Sequence, residues 1–222
     1  MLLDNKTRYL QIAFNDDISL VRSILPGIVE NPRIFIEAGT PYLKREGMRG
    51  LQEIRRHWPG QIVADLKVVD GALGEVDMAR QNGATAITAL GSAPIETLNL
   101  FIDRCQKLGM ISMIDTLGVD DPLTILRHLK IPPDVVVLHR GRDEESNRKK
   151  LIQYRHVARI RSKYDVVISA AGGVGLKEAR SAIFNGANIV VANLVSPGHN
   201  WAGIPTTTNV AEMAQKFLET IE

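Results

Sequence analysis

A closed (β/α)8 barrel is the fold this sequence predicts, and three observations predict it. Short apolar runs and helix-length amphipathic segments alternate eight times along the 222 residues, at about 28 residues per unit, within the usual barrel size. The apolar runs are rich in Val and Ile without a polar alternation, as expected of parallel strands covered on both faces. No Pro/Gly/Ser-rich linker or composition break divides the chain, so residues 1–222 read as one domain. The structural alternative, an open doubly wound sheet, usually holds about five or six strands. Eight favours closure.

Taken in order, the first strand is Tyr9–Phe14 and the first helix Ile18–Leu25. Arg33–Ile36 precedes a helix at Arg49–His57, and Ile62–Leu66 precedes one at Ala72–Gln81. Thr85–Ala89 pairs with Ile95–Leu108, where Ala93-Pro94 puts a proline at the helix entry. Met110–Ile114 leads through Asp121-Pro122 to a helix over Pro122–Leu129. Val135–Leu138 leads to a long one over Asn147–Arg161. Val166–Ser169 is followed by Leu176–Phe184, and Ile189–Ala192 by Val210–Ile221. Asn82-Gly83, Leu108-Gly109 and Asn185-Gly186 close three of the helices.

Composition excludes several classes. Hydrophobic residues at 45% and charged residues at 23% are globular values and argue against disorder. A net charge of +2 carries no nucleic-acid footprint but leaves room for a local basic site for a phosphorylated small molecule. Cys105, the single cysteine, rules out an intrachain disulfide and a multi-cysteine zinc site, so a reducing, cytoplasmic setting is expected. No apolar stretch approaches the roughly 20 residues of a membrane span, and the charged N-terminus has no signal-peptide core. A soluble protein with neither a nucleic-acid nor a membrane partner is expected.

Barrel chemistry sits at the C-terminal ends of the strands. The polar residues there are Asn15 with Asp16, Glu37, Asp65 with Lys67 and Asp70, Asp115, His139 with Arg142, Gly172-Gly173 and Asn193. Asp65 and Lys67 stand out because they border an apolar run. Two residues apart on a strand, they share a face, and burying both is costly unless they serve each other or a ligand. Glu37 and His139 also admit blander readings, as a strand-end acid and a satisfied core histidine. His57, His128 and His156 fall on helical segments and read as surface residues, while His199 lies in an unusual loop.

Asp65-Leu66-Lys67-Val68-Val69-Asp70 is a D-x-K-x-x-D motif. With it stand Leu10-Gln11-Ile12-Ala13, Glu37-Ala38-Gly39-Thr40-Pro41, Glu46-Gly47, His139-x-x-x-Asp143 and Ala171-Gly172-Gly173. From about Leu10 to Val191 this ordered set resembles the orotidine 5′-monophosphate decarboxylase superfamily, and within it the branch of 3-hexulose-6-phosphate synthase and 3-keto-L-gulonate-6-phosphate decarboxylase. The resemblance implies a carbon–carbon lyase acting on a phosphorylated ketose through an enediolate. It implies Mg2+ held by Glu37 and Asp65, an oxyanion stabilised by Lys67, and proton transfer at His139, and the ammonium of Lys67 is expected to be held between Asp65 and Asp70. It also implies a homodimer in which Asp70 reaches the neighbour's site; the plainer alternative is a monomer in which Asp70 caps the helix starting near Ala72.

Glu37 stands where the enzyme that names the superfamily has a lysine, which argues against orotidylate decarboxylation. Asp115 and Ala171 resemble the synthases, whereas Arg142 resembles the gulonate enzymes. The expected reaction is therefore that of the synthase, with the gulonate decarboxylase as alternative. Two departures keep a diverged, non-catalytic sugar-phosphate-binding barrel in view. Asn15 replaces the usual aspartate of strand one, and Val191 to Gly198 lacks the Gly-Arg phosphate loop of the last strand. Asn193 and the Gly172-Gly173 turn remain as substrate-binding candidates, since the turn offers N–H donors ahead of a helix. Asn200 and Trp201 in the longer last loop suit a different substrate shape.

Overall fold

The computed structural model describes residues 3–147, 149–199 and 201–222. Eight parallel strands close into a barrel: β1 (Tyr9–Phe14), β2 (Ile34–Ala38), β3 (Gln61–Val68), β4 (Ala86–Leu90), β5 (Ile111–Asp115), β6 (Val135–His139), β7 (Val167–Ala171) and β8 (Ile189–Val195). Each pairs with the next, and β1–β8 pairing shuts the ring. Around them lie α1 (Ile18–Ile24), α2 (Thr40–His57), α3 (Ala72–Gln81), α4 (Ile95–Lys107), α5 (Leu123–Leu126), α6 (Val157–Arg161), α7 (Leu176–Phe184) and α8 (Val210–Thr220). Among the described residues no helix is long and apolar enough to cross a membrane.

Two cores follow from strand alternation. One face of each strand packs against the helices, as Leu10, Ile12, Ile36, Ile62, Ile87, Ile114, Val136 and Ile168 do. The other fills the barrel, with Tyr9, Phe35, Val63, Ala86, Ile111, Val135, Val167 and Ile189 near the N-terminal end. Each such aliphatic side chain contributes about 1.5–3 kcal/mol by leaving water. Further along, the same inward rows turn polar, after two residues at Gln11, Glu37, Asp65, Thr88 and Ser169 and after four at Asp115 and Asn193. All except Asn193 are buried. The period of two thus builds an apolar plug below and a polar floor above.

The strands run on past the apolar runs, so that Glu37, Asp115 and His139 lie within β2, β5 and β6. Backbone pairing continues where the side chains change character. Helix α2 begins at Thr40 rather than Arg49, and Gly47 (φ 59°, ψ −154°) breaks it into two segments. Helix α5 keeps only Leu123–Leu126, because His128 and Leu129 bond three residues back, to Ile125 and Leu126. The expected helix over 147–161 shrinks to α6. The Lys150 carbonyl accepts from Arg140 Nη1 at 3.2 Å, and the Lys150 ammonium pairs with Glu144, which holds 149–153 as a loop. After β8 a short strand absent from the sequence reading, β9 (Ile204–Pro205), lies parallel to it, Leu194 opposite Ile204.

Candidate active site

A cavity of about 420 Å3 opens at the C-terminal end of the barrel. Its floor is the polar layer. Lys67 Nζ lies 2.8 Å from both Asp65 oxygens and 2.9 Å from Asp115 Oδ2. Asp115 in turn holds His139 Nδ1 at 2.8 Å, and the Leu117 N–H donates to its other oxygen at 2.9 Å. The second imidazole nitrogen of His139 is left for the cavity. Thr88 Oγ1 and Thr40 Oγ1 each donate to Asp65 at 2.8 Å, and Gln11 Nε2 donates to Glu37 in a short hydrogen bond.

Strand geometry places these groups, with one exception at Lys67. The β3–β4 ladder is regular at Val63 and Ala64 and resumes at Val68 with shifted register. Inside this bulge Lys67 adopts φ 50°, the one positive value among the described non-glycine residues. The ammonium meets Asp65 because the backbone bulges, not because alternation delivers it. A left-handed lysine costs about 1–3 kcal/mol, a strain characteristic of functional sites.

The electrostatics follow from burial and pairing. Burial opposes a charge on Lys67, yet Asp65 and Asp115 outweigh it and raise its pKa above the ordinary lysine value. Burial likewise opposes ionisation of Asp115, but His139 and Lys67 hold it well below the usual carboxylate range. His139 is raised: burial disfavours the imidazolium, and Asp115 more than compensates. Glu37 goes the other way. Burial first, then the like charge of Asp65, push it up to about 7, against the Gln11 hydrogen bond.

Several expectations are corrected here. The second anion on Lys67 is Asp115, not Asp70, which is exposed beyond β3 and does not line the cavity. Nor does Asp70 cap α3; Gly71 occupies that position with no side-chain cap. Gly172 lines the cavity, but Gly173 does not: Arg140 and Glu145 stand over it. His156 is buried beside Asp121 rather than on the surface. Asn15 and Asn193 do face the cavity and bond each other at 3.0 Å, while the adjacent Asp16 turns away to Ser196. Arg142 lines the mouth. Asn200 lies outside the described residues.

Three members of the site went unassigned from sequence: Gln11, Thr40 and Thr88. Gln11 and Thr88 carried a usable signal, each being a polar residue within an apolar run and in phase with an inward row. Thr40 needed the fold, since its hydroxyl reaches Asp65 from the start of α2.

The arrangement resembles known proteins in sequence as well as shape. A sequence model of the orotidine 5′-phosphate decarboxylase / HUMPS family matches residues 27–193. The chain belongs to this family. The bifunctional enzyme Fae/Hps of Methanosarcina barkeri is 35% identical over 215 residues, covering 96% of this chain and 52% of that protein. This chain therefore spans about half the length of the curated relatives it matches. A crystal structure of a 3-hexulose-6-phosphate synthase superposes with a TM-score of 0.79 at 26% identity, over 96% of this chain and all (100%) of the other. The synthase of Salmonella typhimurium, at 22% identity and TM-score 0.82 over 96% and 98% of the two chains, shares the fold.

Proposed function

We propose that this barrel is a carbon–carbon lyase of the 3-hexulose-6-phosphate synthase type, joining ribulose 5-phosphate to formaldehyde and reversing that reaction. The observation that carries the reading is the buried relay Asp65–Lys67–Asp115–His139 on the inner rim, on a chain whose relatives include that enzyme. A base takes a proton from C1 of the ketose, and the electron pair left behind forms an enediolate. Its C1 then bonds to the formaldehyde carbon, and the formaldehyde oxygen receives a proton. Lys67, fixed by two carboxylates, faces the developing oxyanion without reorganising, which is the condition under which such a charge is most effective. His139, oriented through Nδ1 by Asp115, exchanges the proton at its other nitrogen. Arg142 supports a second reading, the gulonate-type decarboxylase, which breaks a bond to carbon dioxide instead.

The donor set fits a magnesium ion. Glu37, Asp65 and Asp115 put three carboxyl groups on the floor, and Lys67 already serves two of them. The Glu37 carboxyl is pushed up to about 7, and the neighbouring Gln11 Oε1 is buried without a partner. A cation beside Glu37 and Asp65 would relieve both. Among the described residues no three acidic, His or Cys side chains form a ready cage; Mg2+ usually takes one or two carboxylates with water and substrate oxygens. Bound there, it would polarise the substrate's oxygens as a Lewis acid.

The test is an assay of ribulose 5-phosphate plus formaldehyde, with and without Mg2+, with product identified by mass and 3-keto-L-gulonate 6-phosphate as the competing substrate. A hexulose phosphate is expected. Release of carbon dioxide alone moves the assignment to the decarboxylase, and binding without turnover makes the barrel a non-catalytic one. In a thermal-shift experiment Mg2+ should raise the melting temperature of the native protein and not of Glu37→Gln. An equal rise in both removes Glu37 as a ligand. By the same resemblance the working unit is a homodimer, with Asp70 contributed across the interface.

A further inference from the structure

The rim carries a group that the relay does not use. Arg142 follows β6 and faces the same cavity as Gly172 and Asn193. Among the described residues its guanidinium makes no hydrogen bond and no ion pair. What holds it is the indole of Trp201, with the guanidinium carbon 4.3 Å from the ring centroid. His199 stacks on that indole at 4.1 Å between centroids and 8° between planes. Both aromatics come from the β8–β9 loop. That loop is anchored by Ile204 pairing with Leu194, and Gly203 packs so closely that a Cβ there would meet the Asn193 carbonyl at 2.2 Å.

A phosphorylated substrate needs a cation at its dianionic end. Lys67 is committed to Asp65 and Asp115, and Val191 to Gly198 contains no Lys or Arg. Among the described residues Arg142 is the remaining lysine or arginine that lines the cavity, and it shares that cavity with Gly172 of the β7–α7 turn, where barrels of this kind usually receive phosphate. A guanidinium free to wander over the rim would lose affinity to entropy, and an aromatic face fixes it without consuming its N–H donors.

We propose that Trp201 is a positioning residue: its indole, backed by His199, holds Arg142 so that the open donors meet the phosphate of the bound sugar phosphate. The inference rests on the proposed function for the identity of the sugar but needs only binding for its test. Calorimetric titration with ribulose 5-phosphate, and separately with inorganic phosphate, would be run on the native protein, Trp201→Ala, Trp201→Phe, Arg142→Ala and the double alanine variant. Each single alanine variant should weaken both ligands by about tenfold. The double variant should be no weaker than Arg142→Ala, because one interaction is lost once. Trp201→Phe, which keeps an aromatic face, should recover most of the affinity.

Emission gives an independent reading. Trp58, the other tryptophan, is buried below the N-terminal end of β3, away from the cavity, so a ligand-induced change reports Trp201 and should vanish in Trp201→Phe. Independent, multiplying losses in the double variant, undiminished phosphate affinity in Trp201→Ala, or no binding of either ligand by the native protein would overturn the proposal. If both ligands bind as expected but formaldehyde is not consumed, the positioning role stands and the synthase reading fails.

Discussion

Lys67 combines two costs that only function repays, a buried charge and a left-handed backbone. Substituting it leaves Asp65 and Asp115 facing the cavity with no cation between them. Lys67→Ala is therefore expected to lower kcat by about 10²–10³-fold, the usual loss for one preorganised oxyanion partner. A change confined to KM would make Lys67 a binding group instead. The neighbouring Asp115–His139 pair predicts a pH dependence of stability. His139 titrates above its ordinary value when folded, so its contribution is complete below pH 6.5 and is lost as pH rises through the native pKa. Asp115 is depressed, so its contribution is complete above pH 3.8 and is lost as pH falls toward its native value. His139→Gln should thus cost more stability at about pH 5.5 than at about pH 9 in denaturant titrations. An equal cost at both would show that the imidazole is held neutral.

At the scale of elements, the turn between β7 and α7 is where sequence and backbone constrain each other most. Gly172 has φ 99°, and a Cβ on it would lie 1.9 Å from the Arg140 carbonyl. Gly172→Ala should cost about 2 kcal/mol or more and weaken sugar-phosphate binding, since neither backbone can yield without moving the rim. Gly175, with open space around it and no positive φ, should tolerate alanine at a cost below about 1 kcal/mol, the lost cap preference. Comparable melting temperatures for the two variants would contradict this. Elements such as this turn, or α3 with its bounds at Ala72 and Gln81, were legible because local chemistry decides them. The stretch 149–153 was not. Its helical pattern loses to partners beyond helical spacing, an arginine from β6's end and a glutamate six residues back. The same division runs through the site. Glu37, Asp65 and His139 announce themselves as polar strand ends, whereas the choice of Asp115 over Asp70 as the partner of Lys67 depends on the bulge of β3 turning the ammonium toward β5, two strands along the ring.

At the scale of the whole molecule, that choice leaves Asp70 without work inside its own barrel. It is exposed, and near it Val69 and Leu73 are 47% and 46% exposed, apolar surface beside the rim that a second chain would cover. A two-fold dimer through this edge would carry Asp70 of each subunit toward the other's cavity, since an isologous contact repeats itself on both sides. The arithmetic of mixed dimers tests it. Asp70→Asn and Lys67→Ala chains, each inactive alone, are unfolded together and refolded in equal amounts. In each heterodimer one site regains both native groups and the other has neither. With half of the dimers mixed, about a quarter of the native activity should return. Heterodimers verified by native mass spectrometry that recover nothing would return Asp70 to its own chain. Full activity in Asp70→Asn would remove it from catalysis, and an active protein that sediments as a monomer would end the shared site altogether.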